Sequence, residues 1–170
     1  LYVRREVAEQ LVPIHVARYG IDLGAAHETA FAEGELTYQP GARRFDLGNY
    51  NYLGAIAAQT ALDLIAEIGM QDIERHVRGL SERLASGLLG LGFPVVGGEP
   101  ATDLAHIVSV GESGGGRHYT ADDPALNELY RHLTENGVRL SIRSGVLRLS
   151  VGVYNDEGDI DRVLELARGM

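Results

Sequence analysis

The sequence predicts an α/β protein that ends in an α+β domain, a small sheet covered by helices on one side. Two patterns predict this fold class. From Phe93 onward, short apolar stretches and helical periodicities follow in the order strand, strand, helix, strand, strand, helix. Before them, a long glycine-punctuated segment leads into two consecutive helical patterns. With 170 residues, 45% of them hydrophobic, the chain can form one domain, or one domain and part of another.

The N-terminal segment is expected to be rich in loops. Residues 1–3 have the apolar character of a strand end, and residues 6–16 have helical spacing that Pro13 should interrupt. Residues 19–51 show no periodicity, but their aromatic side chains argue against disorder and predict a long ordered loop. Since chains seldom begin inside a buried element, the apolar start predicts a fragment whose upstream part is missing.

Two helices are predicted next, on either side of Gly69. Residues 52–68 are apolar around much of the helix circumference, which predicts a deeply buried helix. Residues 70–89 carry their apolar side chains on one face and predict an amphipathic helix that packs along that face. The two helices therefore differ in how much of their surface needs a cover.

The C-terminal elements are short and bounded by turn residues. The predicted strands are residues 93–96, 106–110, 138–142 and 146–153, and the predicted helices begin at Pro124 and near residue 156. A tight turn over residues 143–145 joins the last two strands. The glycine-rich stretch 111–116 is interpreted as a flexible linker, because no helix follows it directly as a phosphate-binding loop requires.

Composition excludes several function classes. A net charge of −9 disfavours binding to nucleic acid phosphates. No apolar run is long enough to span a bilayer and no secretory signal opens the chain, so we expect a soluble, cytoplasmic protein. Cysteine is absent, and no histidine pair has metal-ligand spacing, so neither thiolate chemistry nor a metal site is predicted. All 15 residues counted as Lys+Arg are arginines, so no side-chain amine can form a Schiff base.

Two arginines near the C-terminus are the strongest candidates for binding chemistry. Arg148 lies within a predicted strand of otherwise apolar and small residues, where a guanidinium is costly unless it meets an anion. Its planar fork suits a carboxylate bound through two parallel hydrogen bonds. Arg143 lies at the preceding turn. From the residues alone, a solvent-exposed arginine or a structural salt bridge remains an alternative.

The order of several motifs resembles the C-terminal part of class V aminotransferases, which are fold-type-I enzymes that use pyridoxal phosphate. The family includes cysteine desulfurases and isopenicillin-N-epimerase-like proteins. The motifs are Arg44-Phe-Asp-Leu-Gly48-Asn49, the helix that ends in Glu67-Ile68-Gly69, the strand His106-Ile-Val-Ser109, and the segment from Arg143 to Asn155. The resemblance covers essentially the whole chain, with residues 1–51 as the end of the large domain and residues 52–170 as connecting helix and small domain.

The resemblance implies roles for five residues. Arg148 is expected to bind the substrate α-carboxylate, and Arg143 to shape that pocket or make a second anion contact. Gly48 and Asn49 correspond to a Gly-Thr element that binds the cofactor phosphate of the neighbouring subunit in a homodimer. The Asn49 amide can donate to a phosphate in place of the threonine. His27, in the long loop, is a candidate for substrate contact.

The resemblance implies a homodimeric parent enzyme that acts on an amino acid through an aldimine with pyridoxal phosphate, by transamination, epimerisation or elimination. The cofactor lysine is expected in the missing N-terminal half, so this chain alone should be inactive. Without cysteine, the usual persulfide mechanism of cysteine desulfurases is excluded. Two alternatives stay open: a non-catalytic binding or dimerisation module, and a degenerate homologue without the cofactor.

Overall fold

A computed structural model describes residues 2–24, 36–100 and 104–170 of the chain. Its internal contacts divide the chain into two compact units, Leu1–Gln59 and Thr60–Met170. The division falls inside a helix. The domain boundary predicted between residues 51 and 52 stays a prediction.

Helices dominate the described residues, and the strands are short. The helices are α1 (Arg5–Gln10), α2 (Tyr52–Ile68), α3 (Met70–Gly90), α4 (Pro124–Glu135) and α5 (Glu157–Arg168), with a 3-10 helix over Gly41–Phe45. The strands are β1 (Ile107–Val110), β2 (Gly116–Arg117), β3 (Thr120–Ala121), β4 (Ser141–Arg143) and β5 (Val146–Ser150). The predicted mixture of helices and a small sheet is confirmed.

The first unit is held together around Arg44. Its Nη1 donates hydrogen bonds to the carbonyls of Glu9 and Leu11, at 3.0 and 3.3 Å, and so satisfies backbone oxygens at the end of α1. Gly20 lies so close to the Arg44 backbone that the position has no room for a Cβ. Within the predicted loop, the described residues include the 3-10 helix and a bridge between Ile21 and Tyr38. α1 ends at Gln10, before Pro13, and Tyr2 and Val3 form no strand, since no described segment pairs with them.

The bounds of α2 agree with the prediction, but its burial does not. None of its residues is buried, and Leu53 is 83% exposed. The sequence predicted a deeply buried helix because it is apolar on most sides. The correction has a simple reason: an apolar surface indicates that a helix needs a cover, and the described chain does not supply one.

The second unit is built on an antiparallel sheet in the order β1-β5-β4. One face of the sheet is buried against α3, α4 and α5 and forms the core, as the prediction of helices on one side requires. Its inward side chains are Val108, Val110, Ile142, Leu147 and Leu149. The side chains between them point to the opposite, outer face, because successive residues of a strand alternate. The sheet therefore presents one apolar and one polar face.

Four predicted segments differ from the structure. Residues 93–96 form only an isolated bridge, between Val95 and Val110, rather than a strand. The strand expected over 138–142 is β4, Ser141–Arg143, and the strand expected over 146–153 ends at Ser150. Gly152 donates its N–H to the side chain of Asn155, and the chain turns there. The stretch 111–116 is not a free linker, since its last residue begins β2, which pairs with β3.

The structure offers no single membrane-spanning helix among the residues it describes. Only α2 and α3 taken together reach the length and composition needed, and they form a bent pair rather than one helix.

Candidate active site

Arg148 lies in the central strand of the sheet. Its cross-strand neighbours are Ser109 on β1 and Ser141 on β4, so a hydroxyl-bearing residue flanks it on each side. The adjacent Leu147 and Leu149 point into the core, which places the Arg148 side chain on the outer face. It is half-buried, and no described residue forms a hydrogen bond or ion pair with its guanidinium. The arrangement leaves its charge available to an external anion.

Arg143 lies at the end of β4, on the same outer face. Its Nη1 donates to His118 Nε2, and its guanidinium carbon lies 5.9 Å from the centre of the Tyr119 ring. His118 and Tyr119 pack edge to face, with their ring centres 4.4 Å apart. Both belong to the turn between β2 and β3. The guanidinium of Arg143 is thus held by two aromatic side chains and by no carboxylate.

The turn that separates the two arginines is tight and closely packed. Ser144 and Gly145 have φ values of 49° and 85°, the left-handed pair that two-residue hairpin turns use. Gly145 also lies against the backbone of Gly115 and Gly116, where a Cβ would collide. The glycine-rich stretch is therefore a close-packing surface for the hairpin. It fixes the positions from which both arginines extend.

Sequence reasoning missed His118 and Tyr119. Neither falls in a pattern that marks a site, because the turn that carries them is defined only by its packing on Gly145. Their position directly after the glycine-rich stretch was the available signal. Once that stretch is recognised as a packed hairpin, the residues at its tip become candidates for contact with Arg143.

The predicted cofactor-binding pair lies in the first unit. Asn49 Oδ1 accepts a 2.6 Å hydrogen bond from the Tyr19 hydroxyl, which itself accepts from Arg18 Nη2 at 2.6 Å. These two hydrogen bonds orient the Asn49 amide, since the oxygen is occupied and no described residue accepts a hydrogen bond from the NH2 group. Gly48 has no atom within 4 Å of a Cβ built on it, so the described chain imposes no steric need for glycine there.

Tyr50, next to Asn49, has a perturbed titration. Its hydroxyl donates to Asp46 Oδ2 at 2.9 Å. This hydrogen bond to a carboxylate raises the pKa of Tyr50 above the ordinary 10.0, because losing the proton would place two anions in contact. Tyr50 also packs edge to face against Tyr19 and Tyr52. The aromatic group stabilises the segment that carries Asn49.

The pyridoxal phosphate implied by the resemblance fits these residues only in part. The free amide NH2 of Asn49 is a suitable donor to a phosphate. No residue of the chain can form the covalent link to the cofactor, because lysine is absent. The chain's own residues therefore fit one phosphate contact and, on the small sheet, a substrate anion.

The remaining histidines do not extend the site. His27 lies outside the described residues, so its predicted substrate contact stays a prediction. His106 precedes β1 and its side chain is exposed. His76 Nε2 lies 2.9 Å from the Asn155 carbonyl, a contact within the second unit. Over residues 2–24, 36–100 and 104–170, no cluster of potential metal ligands is found.

Comparison with solved structures identifies the fold. A cysteine desulfurase from Thermococcus onnurineus NA1 matches 99% of this chain with a TM-score of 0.74 and 20% identity. The cystine C-S lyase C-DES, in complex with cysteine persulfide, matches 98% with a TM-score of 0.73 and 22% identity. In each case the matched region is 41% of the other chain. The chain thus has the fold of one region of fold-type-I pyridoxal-phosphate enzymes.

Sequence comparison agrees with the fold. An uncharacterised aminotransferase of Schizosaccharomyces pombe is 30% identical over 124 residues, which are 72% of this chain and 28% of that protein. The cysteine desulfurase IscS of Methanosarcina thermophila is 31% identical over 186 aligned positions, 91% of this chain and 46% of that protein. The chain spans less than half the length of either relative. The family model for class-V aminotransferases matches residues 1–163, and the chain belongs to this family of pyridoxal-phosphate enzymes.

Proposed function

We propose that this chain is the C-terminal part of a pyridoxal-phosphate enzyme that acts on an amino acid, and that it supplies the recognition of the substrate carboxylate. The observation that carries the proposal is Arg148. A half-buried guanidinium on a central strand, between two serine-bearing strands and without an anionic partner among the described residues, is suited to bind a carboxylate. When bound, the cofactor would supply the electron sink for chemistry at the amino acid's Cα.

The chain alone is proposed to be inactive. It has no lysine to attach the cofactor, and it covers less than half of its relatives. The exposed apolar surface of α2 supports the view that the rest of the parent protein covers this helix. Asn49, with its amide held by Tyr19, is proposed to donate to the cofactor phosphate across a homodimer interface.

The test uses the protein expressed from its complete reading frame, with residues 1–170 as the comparison. Addition of pyridoxal phosphate to the full-length protein should give a visible absorption band that shifts when amino acids are added. Residues 1–170 should give no such band. A full-length protein that binds no cofactor would contradict the proposal and favour the degenerate homologue.

Arg148→Ala in the full-length protein tests the carboxylate assignment. Loss of one partner of a charge pair should weaken amino-acid binding by roughly 100-fold, with the cofactor retained. Arg168→Ala is the matched control, because Arg168 is exposed at the end of α5 and has no described partner. Unchanged substrate affinity in Arg148→Ala would contradict the assignment.

A further inference from the structure

The outer face of the three-stranded sheet carries two arginines and no carboxylate. The strand register pairs Ser141 with Arg148 and Arg143 with Val146, so Arg143 and Arg148 are diagonal neighbours on one face. Such neighbours have Cα atoms about 7–8 Å apart, within reach of long side chains. The face consists of Ile107, Ser109, Ser141, Arg143, Val146, Arg148 and Ser150. The two arginines are the charged residues of this face, although the chain as a whole has a net charge of −9.

Several other arginines of the second unit have an acidic partner within the chain. Arg83 lies 2.6 Å from Asp161, Arg75 lies 2.6 Å from Asp72, and Arg131 lies 2.7 Å from Glu135. Arg143 and Arg148 have no acidic partner among the described residues. Acidic side chains are abundant in this protein, yet none occupies the strand positions that form this face of the sheet.

The position of Arg143 is fixed by neutral groups. His118 accepts one of its hydrogen bonds, and the Tyr119 ring lies beside the guanidinium without adding charge. A guanidinium has five N–H donors, so the contact with His118 leaves most of the fork free. The hairpin turn that carries Arg143 packs through Gly145 on the glycine-rich stretch.

A ligand with a single carboxylate leaves this arrangement incomplete. It would neutralise Arg148 and leave Arg143 as an uncompensated like charge close by, which is unfavourable. A ligand with two carboxylates neutralises both guanidiniums, each through charge-assisted hydrogen bonds. The spacing of diagonal neighbours on a sheet, closed by two flexible arginine side chains, matches a short dicarboxylate.

We infer that the substrate is an acidic amino acid, with its α-carboxylate on Arg148 and its side-chain carboxylate on Arg143. This inference rests on the proposed function and adds to it the class of substrate. Arg143 is the residue that determines specificity. His118 and Tyr119 are positioning residues, because they act on the substrate only through Arg143.

The test compares acids with their uncharged amides on the full-length holoenzyme. We expect kcat/KM to be higher for L-glutamate than for L-glutamine, and higher for L-aspartate than for L-asparagine. Arg143→Gln should reduce these ratios by roughly 10- to 100-fold, because it removes one charge-assisted contact. Arg168→Ala, the exposed control, should leave them unchanged.

Variants of His118 distinguish a positioning role from a structural one. His118→Ala should lower the acid-to-amide ratio mainly through KM for the acid, since Arg143 loses its anchor. His118→Gln should restore the ratio, because the amide oxygen accepts the same hydrogen bond. An acid-to-amide ratio that stays unchanged in His118→Ala, however far the overall activity falls, would contradict positioning.

Two outcomes separate failure of the inference from failure of the proposed function. Equal kcat/KM for acids and amides in the unmodified enzyme, or a ratio that Arg143→Gln leaves unchanged, overturns the inference alone. Unchanged affinity for all four amino acids in Arg148→Ala overturns the proposed function. Should Arg143→Gln fail to fold, inhibition of the unmodified enzyme by glutarate and butyrate decides: glutarate should inhibit more tightly, and equal inhibition overturns the inference.

Discussion

α2 and α3 are consecutive helices joined at Gly69, and they differ completely in burial. α2 has 17 residues and none is buried. α3 has 21 residues, and its buried positions, Val77, Leu80, Ser81, Leu84, Ala85 and Leu88, repeat at intervals of three and four along one face. α3 packs on the sheet and on α5. The apolar side chains of α2, such as Leu53 and Leu64, remain open to solvent.

The difference shows what an apolar pattern does and does not predict. A single apolar stripe, as in α3, specifies a neighbour on one side, and a small domain can provide it. A helix that is apolar on most sides needs neighbours all round, which a small sheet with two further helices cannot supply. The pattern of α2 predicts that the helix needs a cover. It does not say by which polypeptide.

The largest expected effect contrasts the same substitution in the two helices. In residues 1–170, Leu84→Ala should lower the free energy of unfolding by about 2–5 kcal/mol, because Leu84 is 1% exposed and its loss leaves a cavity. Leu64→Ala should change it by less than about 0.5 kcal/mol, since Leu64 is 56% exposed. Urea unfolding followed by circular dichroism measures both. Helix propensity cancels, because both are leucine-to-alanine changes within helices.

The same two substitutions in the full-length protein test whether the rest of the parent covers α2. If the remainder of the parent covers α2, Leu64→Ala should there become destabilising by about 2 kcal/mol or more. If Leu64→Ala changes the free energy of unfolding of the full-length protein as little as that of residues 1–170, α2 stays uncovered.

A smaller effect is expected from the helix N-termini. Asp156 caps α5 by accepting from the Asp159 N–H at 3.0 Å, and Asp156→Ala should lower the free energy of unfolding by about 1 kcal/mol. Asn51 Oδ1 accepts from the Gly54 N–H at 2.8 Å at the start of α2. Asn51→Ala should reduce helical ellipticity without moving the urea midpoint, because α2 lies outside the cooperative core. A shift of that midpoint as large as for Asp156→Ala would contradict this view.

The smallest effect concerns Tyr50 in the first unit. Its pKa is raised by the hydrogen bond to Asp46, so the contribution of this contact to stability is present below pH 10.0 and is lost as pH rises through the raised pKa. Asp46→Asn should return the titration of Tyr50 towards the ordinary value. NMR of labelled tyrosine rings can follow it, with Tyr52→Phe as the assignment control. An identical Tyr50 titration in Asp46→Asn would exclude the contact in solution.

Much of the small domain was predictable, because its signals are local. The bounds of α2 and α3 follow from periodicity and from Gly69. The caps are of a residue type that favours helix starts: Asp123 accepts from the Ala125 N–H, and Asp156 accepts from the Asp159 N–H. The strands were overestimated at their ends, because pairing needs a partner and the partner strands are short.

The candidate site was predictable only in part. Arg148 and Arg143 stand out in sequence, since arginine is unusual among apolar strand residues. His118 and Tyr119 do not, because their relation to Arg143 depends on hydrogen bonding and packing between segments 25 residues apart. The glycine-rich stretch was taken for a linker for the same reason. Its glycines are required by contact with Gly145, which no local pattern reveals.

The sequence by itself determined the helices, the alternation of the sheet and the family, because periodicity, capping residues and motif order are properties of neighbouring residues. It also determined that this chain cannot attach the cofactor, because it contains no lysine. Only the tertiary structure decided that Arg143 and Arg148 share one acid-free face and that α2 lies uncovered. Both depend on which distant segments meet, since strand register sets the face of each side chain and burial requires a partner surface.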